Sequence, residues 1–234
     1  MTEYGGNYDP NASYGSYGGY EPSPVKHSLI ERLQGIVTFK PEIYREVADD
    51  QEATMTAGLI IVIVSVVVGF MSGLLSIPQL MSSFQDPEVQ QIFGELGLDP
   101  TGSAAALGGF GLGLAFVYAF INPIFALIGW VIGSAIYAFI TNAFFSGEAT
   151  TGKMMRVFGH TSIFQLVSVV PCIGGLAIFV LGAISSVIGI REAARITTTN
   201  AVITWVIPLV FVFLLICIVI GLSIAILGAA AGSA

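Results

Sequence analysis

Groups able to do chemistry are few in this chain and badly placed for it. His27 and His160 are the only histidines, Cys172 and Cys217 the only cysteines, and both cysteines lie inside apolar runs. Neither a disulfide framework nor a thiolate metal site is expected from them. Intramembrane hydrolysis needs paired aspartates, a Ser–His pair or a His-Glu-x-x-His helix, and none of these patterns occurs. The expectation is a protein without catalytic residues, cofactor or metal. A pump or ion carrier would be expected to hold Asp, Glu, Lys, Arg or His deep in an apolar segment, and none is found there. His160 falls about one turn beyond Arg156, where it reads as an interfacial histidine. Asn122, Asn142, Gln165 and Ser168 remain, either as interhelical hydrogen-bonding groups or as the lining of an uncharged path.

The bases are informative through their placement. Lys40, Arg45, Lys153, Arg156, Arg191 and Arg195 all flank apolar runs, and Glu192 adjoins Arg191. These seven residues form the candidate surface for a partner or for anionic headgroups, to which each base would contribute about 1 kcal/mol of attraction. Two other readings stay open: the bases only set orientation, or Glu192 pairs with one of them.

What must position these residues is a set of membrane helices. Of the 234 residues 55% are hydrophobic and only 10% charged, with a net charge of −7 and a mean hydropathy of +0.86. No basic stripe exists that could neutralise nucleic-acid phosphates. Residues 1–27, rich in Tyr and Gly, read as a disordered cytoplasmic tail without the apolar stretch of a secretory signal. Asn11-Ala-Ser matches a glycosylation acceptor only by chance on that side of the membrane. Residues 28–55 are expected to form cytoplasmic amphipathic interfacial helices, which either recruit a partner or pack on their own membrane bundle. Ser28-Leu-Ile-Glu31 has capping-box spacing, and Leu29, Ile30, Leu33, Ile36 and Val37 recur opposite Glu31, Arg32 and Gln34. Pro41 suits the start of a second helix, with Ile43, Tyr44 and Val47 on one side and Glu46, Asp49, Asp50 and Glu52 on the other.

Residues 56–228 are expected to cross the membrane five times, at about 57–77, 124–146, 154–170, 174–190 and 201–227, before a short outer tail at 229–234. The uncharged stretch 100–147 allows either a hairpin turning at Asn122-Pro123 or one span from about Ile124 after a Gly-rich embedded approach. Lys153 and Arg156 favour one crossing, because two would strand them outside. Bases on both sides of 157–190 require an even number of crossings, turning at Pro171, Gly174 and Gly175; a re-entrant hairpin would leave the ends on the same sides. The N-terminus is then cytoplasmic, the C-terminus and the acidic 78–103 loop outside, and all eight bases cytoplasmic. Gly69/Gly73, Gly109/Gly113, Gly129/Gly133 and Gly228/Gly232 are spaced for close helix approach within the bundle.

With these features in order, the chain resembles the Yip membrane-protein family, named for interaction with Ypt/Rab GTPases. The resemblance covers about residues 28–215. It rests on Phe39-Lys-Pro-Glu-Ile-Tyr44, on Met155-Arg-Val-Phe-Gly-His160 followed by Pro171, and on Gly189-Ile-Arg-Glu-Ala193. It implies an all-α, five-span protein that acts without catalysis as a scaffold or adaptor in membrane organisation or trafficking-like processes. The Asp-Leu-Tyr-Gly-Pro type motif of the trafficking branch is missing before the first span, which argues against GTPase binding. The chain is closer in this respect to prokaryotic members, which implies a cell-membrane location. A small-molecule or ion transporter with an uncharged pathway is the alternative. The partner classes left open are membrane lipids, other membrane proteins and further copies of the chain.

Overall fold

The computed structural model describes residues 26–83, 85–95, 104–171 and 173–231, with side chains left out at 80, 89, 92–94, 104–110 and 225–231. Most of the expected N-terminal tail, part of the acidic loop, Cys172 and residues 232–234 lie outside the described residues. All described elements are helical: α1 (Leu29–Val37), α2 (Pro41–Asp49), α3 (Ala53–Ser83), α4 (Pro87–Glu95), α5 (Ala104–Phe145), α6 (Thr151–Thr161), a 3-10 segment (Ser162–Val169), α7 (Gly174–Ala194) and α8 (Thr198–Ala231).

Four of these are long and apolar enough to cross a membrane: Ala53–Ser83, Gly111–Phe145, Gly174–Ala194 and Thr198–Ile224. They correspond to four of the five expected crossings. The fifth expected segment, 154–170, is the short α6 running into the 3-10 segment. The change of helix type has a local cause. His160 Nδ1 bonds the carbonyl of Arg156, and the Thr161 and Ser162 hydroxyls donate to the carbonyls of Phe158 and Gly159. Three consecutive side chains thus compete with the i+4 amides for the last carbonyls of α6. A 3-10 helix rises about 2.0 Å per residue against 1.5 Å, so the 19 residues Thr151–Val169 have a length of about 32 Å, close to that of the 21-residue α7.

Pro123 does not turn the chain, and the Asn122 hairpin does not form: α5 runs through it, as α3 runs through Pro78 and α8 through Pro208. Proline removes one helical hydrogen bond, a loss tolerated where neighbouring helices hold the backbone. The glycine pairs divide into two kinds. A Cβ on Gly69 would lie 2.7 Å from the Tyr118 carbonyl, and one on Gly73 would collide with the Ala115 backbone, so this pair sets the α3–α5 contact. Gly113, Gly129 and Gly133 instead face open space, and Gly109, Gly228 and Gly232 lie outside the described side chains.

Pro171 and Gly174 form the expected turn into α7. The Ile173 amide bonds the Pro171 carbonyl, and a Cβ on Gly174 would sit 2.6 Å from the Val167 carbonyl. Gly175 has no such constraint, since its Cβ would meet nothing. At the opposite end of this hairpin α1 and α2 form a cap. Their buried side chains Ile36, Ile43, Tyr44, Val47 and Ala48 join Met154 and Val157 of α6 and Ile190, Ala193 and Ala194 of α7 in one core. This core, not the lipid-facing helices, holds most of the buried apolar residues.

Candidate functional site

The cap begins with the capping box: the Ser28 hydroxyl receives the Glu31 amide and the Glu31 carboxylate receives the Ser28 amide at 2.8 Å. The face that α1 buries differs from the expected one. Ile36 is buried, but so is Arg32, while Leu29, Ile30 and Val37 are exposed. Arg32 turns inward because α2 and the residue that caps it supply two carboxylates: its Nε donates to Glu46 at 3.0 Å and its terminal nitrogen to Asp50 at 2.7 Å. Burial raises the Asp50 carboxyl's pKa. Hydrogen bond and charge from Arg32, the Glu52 amide and Lys26 outweigh burial and hold it below the ordinary carboxylate value.

Phe39 links the two helices with φ 57°, a left-handed conformation that costs a side-chain-bearing residue about 1 kcal/mol or more. Its ring is what this conformation aims: it stacks on Phe164 of the 3-10 segment at 5.5 Å and 7° between planes. Five residues on, the Tyr44 hydroxyl donates to the Ile36 carbonyl at 3.0 Å and shares a 2.7 Å hydrogen bond with Ser185 of α7. Burial pushes the Tyr44 pKa up to about 12. Gly35 lets Ile43 approach, since a Cβ there would lie 2.5 Å from the Ile43 side chain.

Charge completes the joint. Glu192 of α7 is 4% exposed and takes two bonds from Arg45 of α2, one of them 2.9 Å from Nε, while Arg191 donates to its other oxygen at 2.8 Å. Lys153 and Arg195 converge on Asp49 at 3.3 and 3.5 Å, and Arg195 lies 3.7 Å from Glu148. Arg156 reaches between cap and bundle, donating to Thr54 at 2.9 Å and to the Ala48 carbonyl. The seven residues singled out from sequence thus gather at one end of the molecule, but not in one cluster. Arg45, Arg191 and Glu192 form one; Lys153 and Arg195 meet at Asp49; Arg156 stands apart. Lys40, just before Pro41, is exposed and makes no side-chain hydrogen bond or ion pair among the described residues. Sequence reasoning missed Arg32, Glu46, Asp49 and Asp50 as the partners of this network. The one signal was four acids within seven residues, Glu46, Asp49, Asp50 and Glu52, at the end of α2 and just beyond it, set against an otherwise basic end.

Two glycines hold the hairpin under the cap. A Cβ on Gly159 would collide with Ala57 of α3, and one on Gly189 would collide with Val157. Of the polar residues weighed for a path, Asn142 clamps the α5–α6 connection through the Ala149 carbonyl at 2.7 Å and amide at 3.2 Å, and Ser168 bonds back to the Gln165 carbonyl. Asn122 packs where α5 meets Gly69.

No curated protein and no solved structure matches this chain. The Yip1 domain matches residues 35–220, a range that holds Gly35, Phe39, Tyr44, Gly159, Gly189 and Glu192, the residues by which cap and hairpin lock together. This is an all-helical, multi-pass membrane protein, and the chain belongs to the Yip1 domain family.

Proposed function

We propose that this protein is a non-enzymatic membrane scaffold or adaptor whose cap faces the cytoplasm and carries the contact surface. The observation that supports this most is the docking of α1–α2: a 16-residue core, a stacked ring pair and a buried carboxylate hold the cap as a fixed body. A lone amphipathic helix on the lipid surface would need none of these. The fixed cap keeps Leu29, Ile30 and Val37 exposed beside the uncommitted base Lys40. Most of the remaining bases already meet carboxylates, which favours recognition of a protein partner over broad attraction to anionic headgroups.

In this reading the chain crosses five times. The third crossing is α6 with the 3-10 segment, about 32 Å long in all, of which about 23 Å lies beyond Arg156; that is short for a hydrocarbon core of about 30 Å and is accommodated by local thinning of the bilayer. All eight bases fall on the cap side, so the positive-inside rule makes that side cytoplasmic and puts the C-terminus outside. A photoreactive amino acid at positions 30, 37 and 40, with buried position 47 as control, tests the surface in cells. Protein adducts at the three exposed positions and none at 47 are expected. Lipid adducts alone, or none, would overturn the adaptor reading, as would solute flux through the purified protein in liposomes.

A further inference from the structure

Away from the cap, α5, α7 and the α6–3-10 arm enclose a cleft of about 460 Å³. On α5 it runs from Ala126 to Tyr137, about 17 Å of helix, and on α7 from Ile178 to Ser186. Gly129, Gly133 and Gly182 line it, and a Cβ on any of the three would meet nothing, so the space between these helices is unfilled. Ser134 lines the same cleft fully buried, and its hydroxyl has no hydrogen-bond partner among the described residues. The Ser186 hydroxyl and the side-chain amide of Gln165 also line it without a partner among the described residues. Ser134 and Ser186 are therefore unmet on helices long and apolar enough to span, Gln165 is unmet on the 3-10 segment between them, and the Tyr137 hydroxyl at the edge of the cleft has no partner among the described residues either.

We propose that this cleft binds an uncharged ester lipid of the diacylglycerol class. Among the described residues no Lys, Arg, Asp, Glu or His lines it, so a charged headgroup would be left unpaired inside. A bare hydrocarbon chain would fill the glycine-lined space but leave Ser134, Gln165 and Ser186 unmet. A neutral lipid with ester carbonyls and a hydroxyl satisfies both demands. The serine hydroxyls and the Gln165 NH₂ donate to the carbonyls, the Gln165 carbonyl accepts from the lipid hydroxyl, and the acyl chain lies on the glycines. A transmembrane helix from a second copy fits less well, since a crossing helix needs about 30 Å of groove and the open stretch of α5 is about half that.

The test is photolabelling of the full chain in phosphatidylcholine vesicles with a diazirine-bearing diacylglycerol, followed by mapping of the labelled residues. Label should concentrate in 126–137 and 178–186 and be displaced by unlabelled diacylglycerol, but not by phosphatidylglycerol or hexadecane. Gly133→Leu, which fills open space, and Gln165→Leu, which removes an amide at similar volume, should each lower capture about tenfold. The proposal is overturned by labelling as strong along α8 as in the cleft, or by equal competition from phosphatidylglycerol or hexadecane. Capture unchanged in both variants overturns it too, and a disulfide between copies through Gly133→Cys would assign the cleft to a second copy.

Discussion

Removing the Glu192 carboxylate should undock the cap without dismantling the membrane helices. In Glu192→Ala, Arg45 and Arg191 face each other with side chains only 22% and 12% exposed and no carboxylate between them. Truncating one member of a buried ion pair costs roughly 3–5 kcal/mol, most of it the burial of uncompensated charge. The partial exposure of Arg45 places this site at the lower end, about 3 kcal/mol, or roughly a 150-fold shift in the docking equilibrium. Amide hydrogen exchange in lipid nanodiscs reads this directly: residues 43–48 of α2 should lose protection by that factor while buried α5 amides near Ala138 keep theirs. Glu148→Ala, which removes a carboxylate 70% exposed, should change α2 protection by less than about twofold. Replacing the triad together, with Arg45→Met, Arg191→Met and Glu192→Leu, should restore most of the protection, because no charge then remains buried. If Glu192→Ala behaves like Glu148→Ala, or the triple variant is as damaged as the single one, the charge-burial argument is refuted.

Four further outcomes follow from the same geometry. Gly159→Leu, which forces side-chain atoms into Ala57, should lower stability in detergent by about 1–3 kcal/mol, whereas Gly175→Ala should shift the melting temperature negligibly. The Asp50 carboxyl is depressed in the folded state, so its contribution to α1–α2 pairing is present above the ordinary carboxylate pKa and lost as pH falls through the lower folded value; acid should expose α1 amides before α5 amides. Tyr44 has the opposite sign: raised from 10.0 to about 12, it contributes about 3 kcal/mol that is intact below pH 10 and lost as pH rises toward 12, and Tyr44→Phe should remove the last tyrosinate step in absorbance at 295 nm. Engineered cysteines at 26 and 191 should resist an impermeant reagent added outside, whereas one at 86 should react.

How much of this was legible in advance depends on how local each signal is. The capping box at Ser28, the helix start at Pro41 and the turn at Pro171-Gly174 each depend on a few neighbouring residues, and each forms. The apolar run from Ala57 defines α3 for the same reason. Continuity through Pro123 and Pro78 is not local, since it depends on whether another helix supports the backbone at that level. The break in α6 is local but has no strong sequence pattern, because His160, Thr161 and Ser162 act through side-chain bonds to their own helix.

The cap shows where reading a single helix fails. Taken alone, Leu29-Ile-Glu-Arg-Leu-Gln-Gly-Ile-Val37 presents an apolar stripe opposite Arg32, and the stripe predicts which side is buried. Pairing with α2 inverts part of that answer, because Glu46 and Asp50 make an inward Arg32 less costly than an unpaired one, and Gly35 lets Ile43 close over the contact. Leu29, Ile30 and Val37 are then left outside by the electrostatics of the helix beneath them, not by their own periodicity. Two other acids explain the dispersal of the candidate basic surface. Asp49 draws off Lys153 and Arg195 while Glu192 holds Arg45 and Arg191, which leaves Lys40 as the exposed base beside the apolar face. Charge at this end of the molecule is used mainly to fasten the cap, and what the cap leaves exposed on α1 is chiefly apolar.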